Sequence, residues 1–416
     1  MKKNIVIIGG GIIGCITAIY LKRKNHEVSI FEKSDKLGGI LSDYELDDQI
    51  FLKGVQAFGS KEQLTKDLIK FSKCSFKKSN YDMASFTNLD SNKISAENFS
   101  LPVFKLKNFK EQDLYKKKLI VNSLKDHIGI YPVNVTNCLK KFLRNIDFSS
   151  SHLDKQTSGP LGISRVNILN QDNLLKKLKE KNTQIDKYYA INWNQISTLV
   201  KQFSVPSLGY NHMFENLENE MRKLGIKIYK KTIVFPEWKN KKLLLFKYNQ
   251  KIKNDYIFWT GNPVNLVKKY NDVELDSFAF KAIQINSDLT KSINQTKYIQ
   301  VYSSKSKIYR IHLYKIKNVS KIGIETFFNK DSIEKILIDC RKILKTFNID
   351  VVYDLKTANK KLLTRFDIIS IKDKVAIEDF IQKTNNTNLI SSPWTTYGRD
   401  QKLIAINECL KLKNLL

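Results

Sequence analysis

Short apolar runs and a polar turn alternate over the first forty residues, in the order strand, turn, helix, strand. Ile5 to Ile8 form an apolar run rich in β-branched side chains, which is typical of a buried parallel strand. Ala18 and Leu21 continue a helical spacing, and Val28 to Phe31 begin a second strand that ends at Glu32. This order predicts an α/β fold that begins with a Rossmann-type unit.

Helical spacing of apolar residues recurs at three places further along the chain. It covers residues 64–71, 136–143 and 214–224. Gly225 suits the end of the third helix, and a strand is predicted to begin at Ile226.

Strand patterns and a last helix follow in the second half. Residues 255–263 predict an apolar strand that ends in a Gly-Asn-Pro turn, and residues 299–314 predict two alternating strands around a polar turn. Residues 394–416 predict an aromatic and polar loop followed by an amphipathic helix with Lys-rich exposed positions.

The turn after the first strand has the spacing Gly9-x-Gly11-x-x-Gly14. Gly9 permits a tight turn, Gly11 lets a pyrophosphate approach the backbone at the positive end of the helix, and Gly14 lets helix and strand pack closely. Glu32 lies eighteen residues beyond Gly14, where its carboxylate can accept hydrogen bonds from a ribose. This combination predicts a dinucleotide site.

A second glycine pair, Gly38-Gly39, lies six residues beyond Glu32. It resembles the second glycine pair of the large FAD-binding family that includes amine oxidases, protoporphyrinogen oxidases and UDP-galactopyranose mutases. The resemblance favours FAD over NAD. It also implies that the strand beginning at Ile226 returns to the Rossmann sheet, with Val234 near the adenine.

Five short motifs along the chain are similar to those of UDP-galactopyranose mutases. They are Tyr131-Pro132-Val133-Asn134, Gly209-Tyr210-Asn211, Trp259-Thr260-Gly261, Tyr309-Arg310-Ile311, and Tyr397 followed by Asp400-Gln401. The chain departs from the family pattern at Gln56, where a histidine is expected, and at Leu389-Ile390, where a Gly-Arg pair is expected. The cofactor-binding residues predicted with this resemblance are Gly9, Gly11, Ile12, Ile13, Gly14, Glu32, Lys33, Gly38, Gly39, Ile40, Leu41, Val234, Asp400 and Gln401.

The resemblance implies a non-oxidative rearrangement of a nucleotide-activated sugar, with reduced flavin as the nucleophile and UDP as the leaving group. It assigns Arg310 to the diphosphate, helped by Tyr309 and Tyr397, because the fork of an arginine suits a diphosphate. The alternative for Arg310 is a salt-bridged arginine in a strand, and a lone His312 is more often structural.

Two rival functions stay open. One is an FAD-dependent oxidoreductase of the amine oxidase or protoporphyrinogen oxidase type. The other is a non-catalytic FAD-binding or membrane-surface protein whose basic face binds anionic lipid.

The resemblance also predicts two domains built from separate segments. An FAD-binding domain is expected from residues 1–75, about 205–265 and 365–416. A mixed α+β substrate domain is expected from about 76–204 and 266–364.

The charge balance is strongly basic, with 71 Lys and Arg against 41 Asp and Glu, or +30. No nucleic-acid-binding motif accompanies this charge, so nucleic acid is not expected as a partner, whereas peripheral membrane contact stays open. The five cysteines are widely spaced without a CxxC pair, which argues against disulfides or a metal site and fits the cytoplasm. No apolar run predicts a transmembrane helix, and the sequence does not predict the oligomeric state.

Overall fold

The computed structural model describes the chain except residues 47–48, 55–57, 60–61, 81, 91, 107–108, 111–120, 192–201, 276–279, 295, 317, 328–330, 366–368 and 397. The helices of the described residues are α1 (Ile12–Arg23), α2 (Gln63–Ser72), α3 (Leu124–Gly129), α4 (Val133–Asn145), α5 (Asp172–Lys181), α6 (Tyr210–Lys223), α7 (Val264–Asn271), α8 (Ile333–Lys345), α9 (Ile371–Thr384) and α10 (Arg399–Leu412).

The strands of the described residues form six sheets. They are β1 (Asn4–Ile8), β2 (Glu27–Phe31), β3 (Tyr44–Leu46), β4 (Gln49–Phe51), β5 (Phe58–Gly59), β6 (Phe76–Asn80), β7 (Asp82–Leu89), β8 (Asn92–Glu97), β9 (Val103–Phe104), β10 (Asn167–Ile168), β11 (Gln202–Pro206), β12 (Lys227–Tyr229), β13 (Phe235–Lys239), β14 (Lys242–Lys247), β15 (Gln250–Lys251), β16 (Tyr256–Trp259), β17 (Phe280–Leu289), β18 (Lys297–Ser303), β19 (Ile308–Ile316), β20 (Val319–Phe327), β21 (Tyr353–Arg365) and β22 (Leu389–Ser391).

A parallel sheet of order β12-β2-β1-β16-β22 holds the glycine-rich turn. Its central strand is buried on both faces: Ile5 and Ile7 pack with α1, α6 and α10, whereas Val6 and Ile8 pack with β14, α7 and α9. A strand covered on both sides reads as a continuous apolar run, which is why the sequence signal of β1 is strong.

The predicted fold class, an α/β protein with a Rossmann-type domain, is confirmed by this sheet and the mixed sheet below. The strand predicted from Ile226 is β12, which pairs in parallel with β2. The predicted helices correspond to α2, α4, α6 and α10. Leu389-Ile390, where the sequence departs from the family's Gly-Arg pair, lies in β22, the edge strand beside β16.

A second, seven-stranded sheet has the order β21-β17-β20-β19-β18-β7-β8. Its neighbouring strands are antiparallel except for β18 and β7. One face packs against α8 through an apolar cluster that includes Ile311, Ile324 and Leu337. Its strands come from residues 82–97 and 280–365, so this sheet is built from chain segments other than those of the Rossmann sheet.

None of the helices in the described ranges has both the length and the hydropathy needed to cross a bilayer.

Candidate functional site

The turn between β1 and α1 depends on two glycines for its shape. Gly9 has φ +107° and its N–H donates to the Phe31 carbonyl at 2.9 Å. A Cβ on Gly14 would lie 2.2 Å from the Gly9 carbonyl oxygen. Gly9 therefore supplies a backbone conformation that favours glycine, and Gly14 lets the helix lie directly against the turn.

Gly11 has a different role, because its backbone is ordinary and its surroundings are open. It is the N-cap of α1 with φ −69°, and a Cβ there would meet no atom of the described residues within 4 Å. Helix α1 has no side-chain cap and no acidic residue in its first turn. The N–H groups of Ile12 and Ile13 therefore lie at a helix start suited to an anion.

The second glycine pair packs directly on this turn. The Gly38 N–H donates to the Gly10 carbonyl at 2.9 Å, and a Cβ on Gly39 would lie 3.7 Å from the Gly11 Cα. Gly38 has φ +112°, and a side chain there would meet the Phe214 ring. Both predicted glycine motifs thus meet at one place beside the uncapped start of α1, which we call the cradle. Its backbone N–H groups and its lack of side chains are suited to a dinucleotide.

Two further predicted residues follow Gly39 in a short 3-10 turn, Gly39–Leu41. Ile40 is exposed, whereas Leu41 is buried in the core beneath the Rossmann sheet.

Glu32 directly follows β2 beside the cradle, and its side chain is buried. Its two carboxylate oxygens accept hydrogen bonds from the N–H groups of Gly10 at 2.7 Å and Ser34 at 2.8 Å. A carboxylate has about four lone-pair sites, so acceptor capacity remains for a ribose. The neighbouring Lys33 is exposed.

Three predicted cofactor residues lie away from the glycine turn. Val234 is buried near Phe31 in the cluster on the other face of the sheet. Asp400 accepts a hydrogen bond from the Leu64 N–H at 3.0 Å in the first turn of α2, and Gln401 is exposed. The structure therefore gives Asp400 a helix-capping contact.

The predicted substrate residues lie on β19. A β-bulge between Ile308 and Arg310 turns Tyr309 and Arg310 toward the same neighbour, Glu325 on β20. The Tyr309 hydroxyl donates to Glu325 Oε2, and Arg310 Nη1 lies 3.5 Å from the same oxygen. Tyr397, the third predicted catalytic residue, is outside the described residues, as is Gln56.

Register pairing extends this contact into two polar rows across the sheet, because directly paired residues project to the same face. The first row contains Gln300, Arg310, Glu325, Gln284 and Lys361, and the second contains Tyr298, His312, Gly323, Asn286 and Asn359. We call these two rows the polar layer. Sequence reasoning missed most of it, because polar residues that alternate with apolar ones in a strand usually face solvent.

Hydrogen bonds connect the members of the polar layer. The Tyr298 hydroxyl and Arg310 Nε both donate to Gln300 Oε1, the latter at 3.3 Å. Gln284 Nε2 donates to Asn286 Oδ1 at 2.9 Å. Within the described part of the chain, Gln300 Nε2 is buried without a hydrogen-bond partner, and such an atom requires water or a ligand.

His312 lies in the middle of the polar layer and is stacked on Tyr314, with ring centroids 4.7 Å apart. Burial lowers its pKa to about 3, against the opposing effect of Glu325. The imidazole is therefore neutral at physiological pH.

Hydrogen bonds connect the polar layer to two other segments of the chain, one around Leu52 and one around Pro160. Gln284 Nε2 donates to the Leu52 carbonyl, and the Leu52 N–H donates to the Tyr314 hydroxyl at 3.3 Å. At the other end, Arg310 Nη2 donates to the Pro160 carbonyl at 2.8 Å. The layer thus lies between the segment that follows the second glycine pair and the segment around Pro160.

Comparisons with known proteins match the glycine turn at the level of sequence. A family profile described as an NAD(P)-binding Rossmann-like domain matches residues 7–70. The chain is 56% identical over 39 residues to 4,4'-diapolycopen-4-al dehydrogenase of Metabacillus indicus, which is 9% of this chain and 8% of that protein. It is 45% identical over 56 residues to 1-hydroxycarotenoid 3,4-desaturase of Flavobacterium sp. (strain P99-3), which is 14% of this chain and 12% of that protein. The matches span about a tenth of these relatives.

Solved structures match over the whole chain at low identity. A reduced UDP-galactopyranose mutase has a TM-score of 0.72 at 11% identity, covering 100% of this chain and 95% of that one. A putative protoporphyrinogen oxidase from Exiguobacterium sp. 255-15 has a TM-score of 0.66 at 12% identity, covering 100% of this chain and 99% of that one. A cyclohexylamine oxidase from Brevibacterium oxydans IH-35A has a TM-score of 0.60 at 10% identity, covering 99% of this chain and 100% of that one.

These matches establish that the chain has the fold shared by amine oxidases and UDP-galactopyranose mutase. The predicted FAD cofactor agrees with this fold and with the Rossmann-like family match.

Proposed function

We propose that this chain is an FAD-dependent enzyme that rearranges a polar, nucleotide-activated sugar, as UDP-galactopyranose mutase does. The cofactor part of the proposal is supported by the cradle between the two glycine motifs. The phosphates would lie at the start of α1, beside Gly11, and the ribose at Glu32. Bound FAD would supply the electron-rich centre or the hydride acceptor that the chain itself lacks.

The polar layer is the observation that carries the substrate part of the proposal. Buried polar groups cost free energy unless they are hydrogen-bonded, so a face rich in amide, imidazole and guanidinium groups suits a ligand that returns hydrogen bonds. A carotenoid, the compound named in one of the two curated relatives, would offer no hydrogen bond to Gln300 Nε2, which has no partner among the described residues. A sugar with several hydroxyl groups would offer one.

Within this proposal, Gln300 and His312 would orient the substrate by hydrogen bonds. Arg310 and Glu325 would present a fixed ion pair of opposite charges at the surface of the layer. Because its imidazole is neutral, His312 can donate one hydrogen bond and accept another without carrying a charge. The predicted role of Arg310 as a diphosphate clamp stays a proposal, and it would require Arg310 to exchange some of its contacts with Glu325 and Pro160.

An oxidoreductase of the amine oxidase or protoporphyrinogen oxidase type is the second candidate. The fold matches to a putative protoporphyrinogen oxidase and to cyclohexylamine oxidase favour it, as do the N-terminal matches to carotenoid-modifying enzymes.

One experiment separates the two candidates. The purified, FAD-loaded protein is reduced with dithionite and incubated without oxygen with UDP-galactopyranose, and the products are resolved by chromatography. A new UDP-sugar that forms only with the reduced protein supports the mutase proposal. Absence of any product, together with peroxide formation in air with an amine or porphyrinogen, would replace it with the oxidoreductase proposal.

A further inference from the structure

A three-stranded antiparallel sheet of order β13-β14-β15 covers one side of the Rossmann sheet. Its inner face carries Leu243 and Leu245, which are buried in the apolar cluster that also contains Val6 and Ile8 of β1. Successive side chains of a strand project to opposite faces, so the neighbours of these leucines lie on the side away from β1. We call this side the outer face, and its members are Phe235, Glu237, Lys239, Lys242, Leu244, Phe246 and Lys251.

Apolar side chains lie next to one another on the outer face. Phe235 and Phe246 are directly paired across β13 and β14, and Leu244 follows on the same side of β14. Phe235 is 57% exposed, and neither Phe246 nor Leu244 is buried. Single exposed apolar residues are common on protein surfaces, whereas a contiguous exposed group of them indicates an interaction site.

The turn between β14 and β15 adds a tyrosine in an uncommon backbone conformation. Tyr248 has φ +46° and the following Asn249 has φ +61°, a combination typical of a two-residue hairpin turn. Glycine and asparagine are preferred at such positions, and a bulky side chain there costs free energy. Tyr248 is nonetheless 78% exposed, so packing inside the protein does not offset this cost.

Lysines surround the apolar part of the outer face. Residues 235–251 contain five lysines and one acidic residue, Glu237. Lys239 and Lys242 are directly paired at one end of the sheet, and Lys251 lies opposite the phenylalanine pair. These three lysines are exposed and form no ion pair with any residue that the structure describes. The outer face therefore carries a local excess of positive charge.

A further lysine lies beside the exposed tyrosine. Lys247 Nζ is 5.3 Å from the centroid of the Tyr248 ring and 5.4 Å from that of Tyr229, distances at which an aromatic ring attracts a cation. Basic and aromatic groups are thus interleaved on one surface.

We propose that the outer face, together with the turn at Tyr248, docks this protein on an anionic membrane surface. Phe235, Phe246 and Tyr248 would enter the boundary between headgroups and acyl chains, where aromatic side chains are favoured. The lysines would lie at the level of the lipid phosphates and carboxylates, whose negative potential attracts clustered cations. The sheet would lie on the bilayer without crossing it.

Other occupants match this surface less well. A symmetric dimer would bring the same patch of both copies together, and lysines would then face lysines. An anionic polymer would complement the lysines but would offer no apolar layer to the phenylalanine pair. An anionic bilayer offers both negative charge and an apolar layer.

Vesicle co-sedimentation of the purified full chain tests the proposal. The vesicles contain phosphatidylcholine, either pure or with about 30% phosphatidylserine, and are used at low and at high salt because salt screens exposed charges. Lys239→Gln combined with Lys242→Gln removes two charges from the outer face. Lys176→Gln combined with Lys177→Gln removes two charges from exposed positions of α5 and is the matched control.

A single variant tests the aromatic contribution. Tyr248→Asn removes the exposed ring and should leave folding intact, because asparagine suits a positive φ better than tyrosine does. Its thermal stability should equal or exceed that of wild type, which distinguishes lost docking from lost folding.

Wild type and the α5 control should sediment with the phosphatidylserine vesicles at low salt and stay in solution with pure phosphatidylcholine. High salt should weaken the binding. The outer-face lysine variant should bind the anionic vesicles about tenfold more weakly, and Tyr248→Asn about threefold more weakly, because less apolar area is buried.

The proposal is overturned if wild type stays in solution with the anionic vesicles at low salt. It is also overturned if the α5 control loses as much binding as the outer-face lysine variant, or if both test variants bind as tightly as wild type. Binding to heparin without binding to vesicles would replace the membrane with an anionic polymer as the partner. Sedimentation requires no flavin chemistry, so its outcome does not depend on the proposed function.

Discussion

Arg310 and Glu325 are directly paired across β19 and β20, and their side chains are only 15% and 3% exposed. The bulge beside Arg310 brings the Tyr309 hydroxyl to the same carboxylate. The sequence is compatible with two roles for Arg310, a diphosphate clamp and a salt-bridged strand residue. The structure shows the ion pair of the second role, and the diphosphate clamp stays a proposal.

This pair predicts strongly coupled effects on stability. Arg310→Met should lower the free energy of unfolding by about 3 kcal/mol or more, because it leaves the Glu325 carboxylate buried without its counter-charge. Glu325→Gln should also destabilise the protein, and the double variant should lose clearly less than the sum. Urea unfolding of the four proteins measures this coupling. Simple additivity would show that the two charges do not stabilise each other.

Replacement by alanine is predicted to have opposite effects on stability at Gly11 and at Gly14. Gly11→Ala should fold with unchanged or slightly raised stability, because its φ of −69° suits alanine and its Cβ meets open space. It should nonetheless weaken FAD binding by about tenfold or more, since the methyl group enters the space that a pyrophosphate needs. Equal FAD affinity in wild type and Gly11→Ala would place the dinucleotide elsewhere.

Gly14→Ala serves as the structural counterpart of that variant. Its Cβ would lie 2.2 Å from the Gly9 carbonyl oxygen, so the turn must shift at a cost of about 1–3 kcal/mol. Thermal unfolding of the flavin-free protein should detect this loss. A Gly14→Ala protein as stable as wild type would contradict the close packing of α1 on β1.

Glu32→Gln is predicted to affect both folding and cofactor binding. The carboxylate accepts two backbone hydrogen bonds, and a neutral amide would replace an ionised acceptor, which makes hydrogen bonds of about 1.5–3 kcal/mol. Binding of ADP, which carries the ribose, should weaken in cofactor-stripped protein. Lys33→Gln, at the exposed neighbouring position, is the control. Unchanged ADP binding in Glu32→Gln would remove the ribose from this carboxylate.

Asp43 predicts a pH dependence of stability. Its Oδ2 accepts the Asn211 N–H at 2.9 Å in the first turn of α6, and burial raises its pKa from 3.8 to about 6. The folded state therefore holds a proton that the unfolded state releases between these values. The free energy of unfolding should fall as pH rises from about 4 to 6, by about 3 kcal/mol at most from this group.

Asp43→Asn isolates that contribution, because the amide oxygen of asparagine can still accept the Asn211 N–H whereas the side chain no longer titrates. Chemical unfolding at several pH values between 4 and 7 should give a flatter profile for Asp43→Asn than for wild type. Identical profiles would show that Asp43 does not carry the proton.

The elements that could be predicted from the sequence are those whose signals are local. The β1–α1–β2 unit was predictable because glycine spacing, an apolar run and a terminal acid act within forty residues. Helices α2, α6 and α10 were predictable from their apolar periodicity. The pairing of β12 with β2 came from family resemblance, because no local pattern specifies a partner nearly two hundred residues away.

The polar layer was not predictable in the same way. Gln284 and Asn286 alternate with Ile283 and Ile285, a pattern that usually indicates one buried and one solvent-facing side. Both faces of this strand are covered in the structure, and the polar residues are as buried as the apolar ones. It is the register of β19 against β20 that shows that Arg310 meets Glu325.

The Rossmann sheet also constrains how the protein can be synthesised. Its strands come from residues 4–31, 227–229, 256–259 and 389–391, and β22 covers the flank of β16. A growing chain on the ribosome therefore holds β16 with an unsatisfied edge until residues 389–391 have emerged. Such an exposed parallel edge invites aggregation, so nascent-chain chaperones should stay bound from the synthesis of β16 until β22 has emerged.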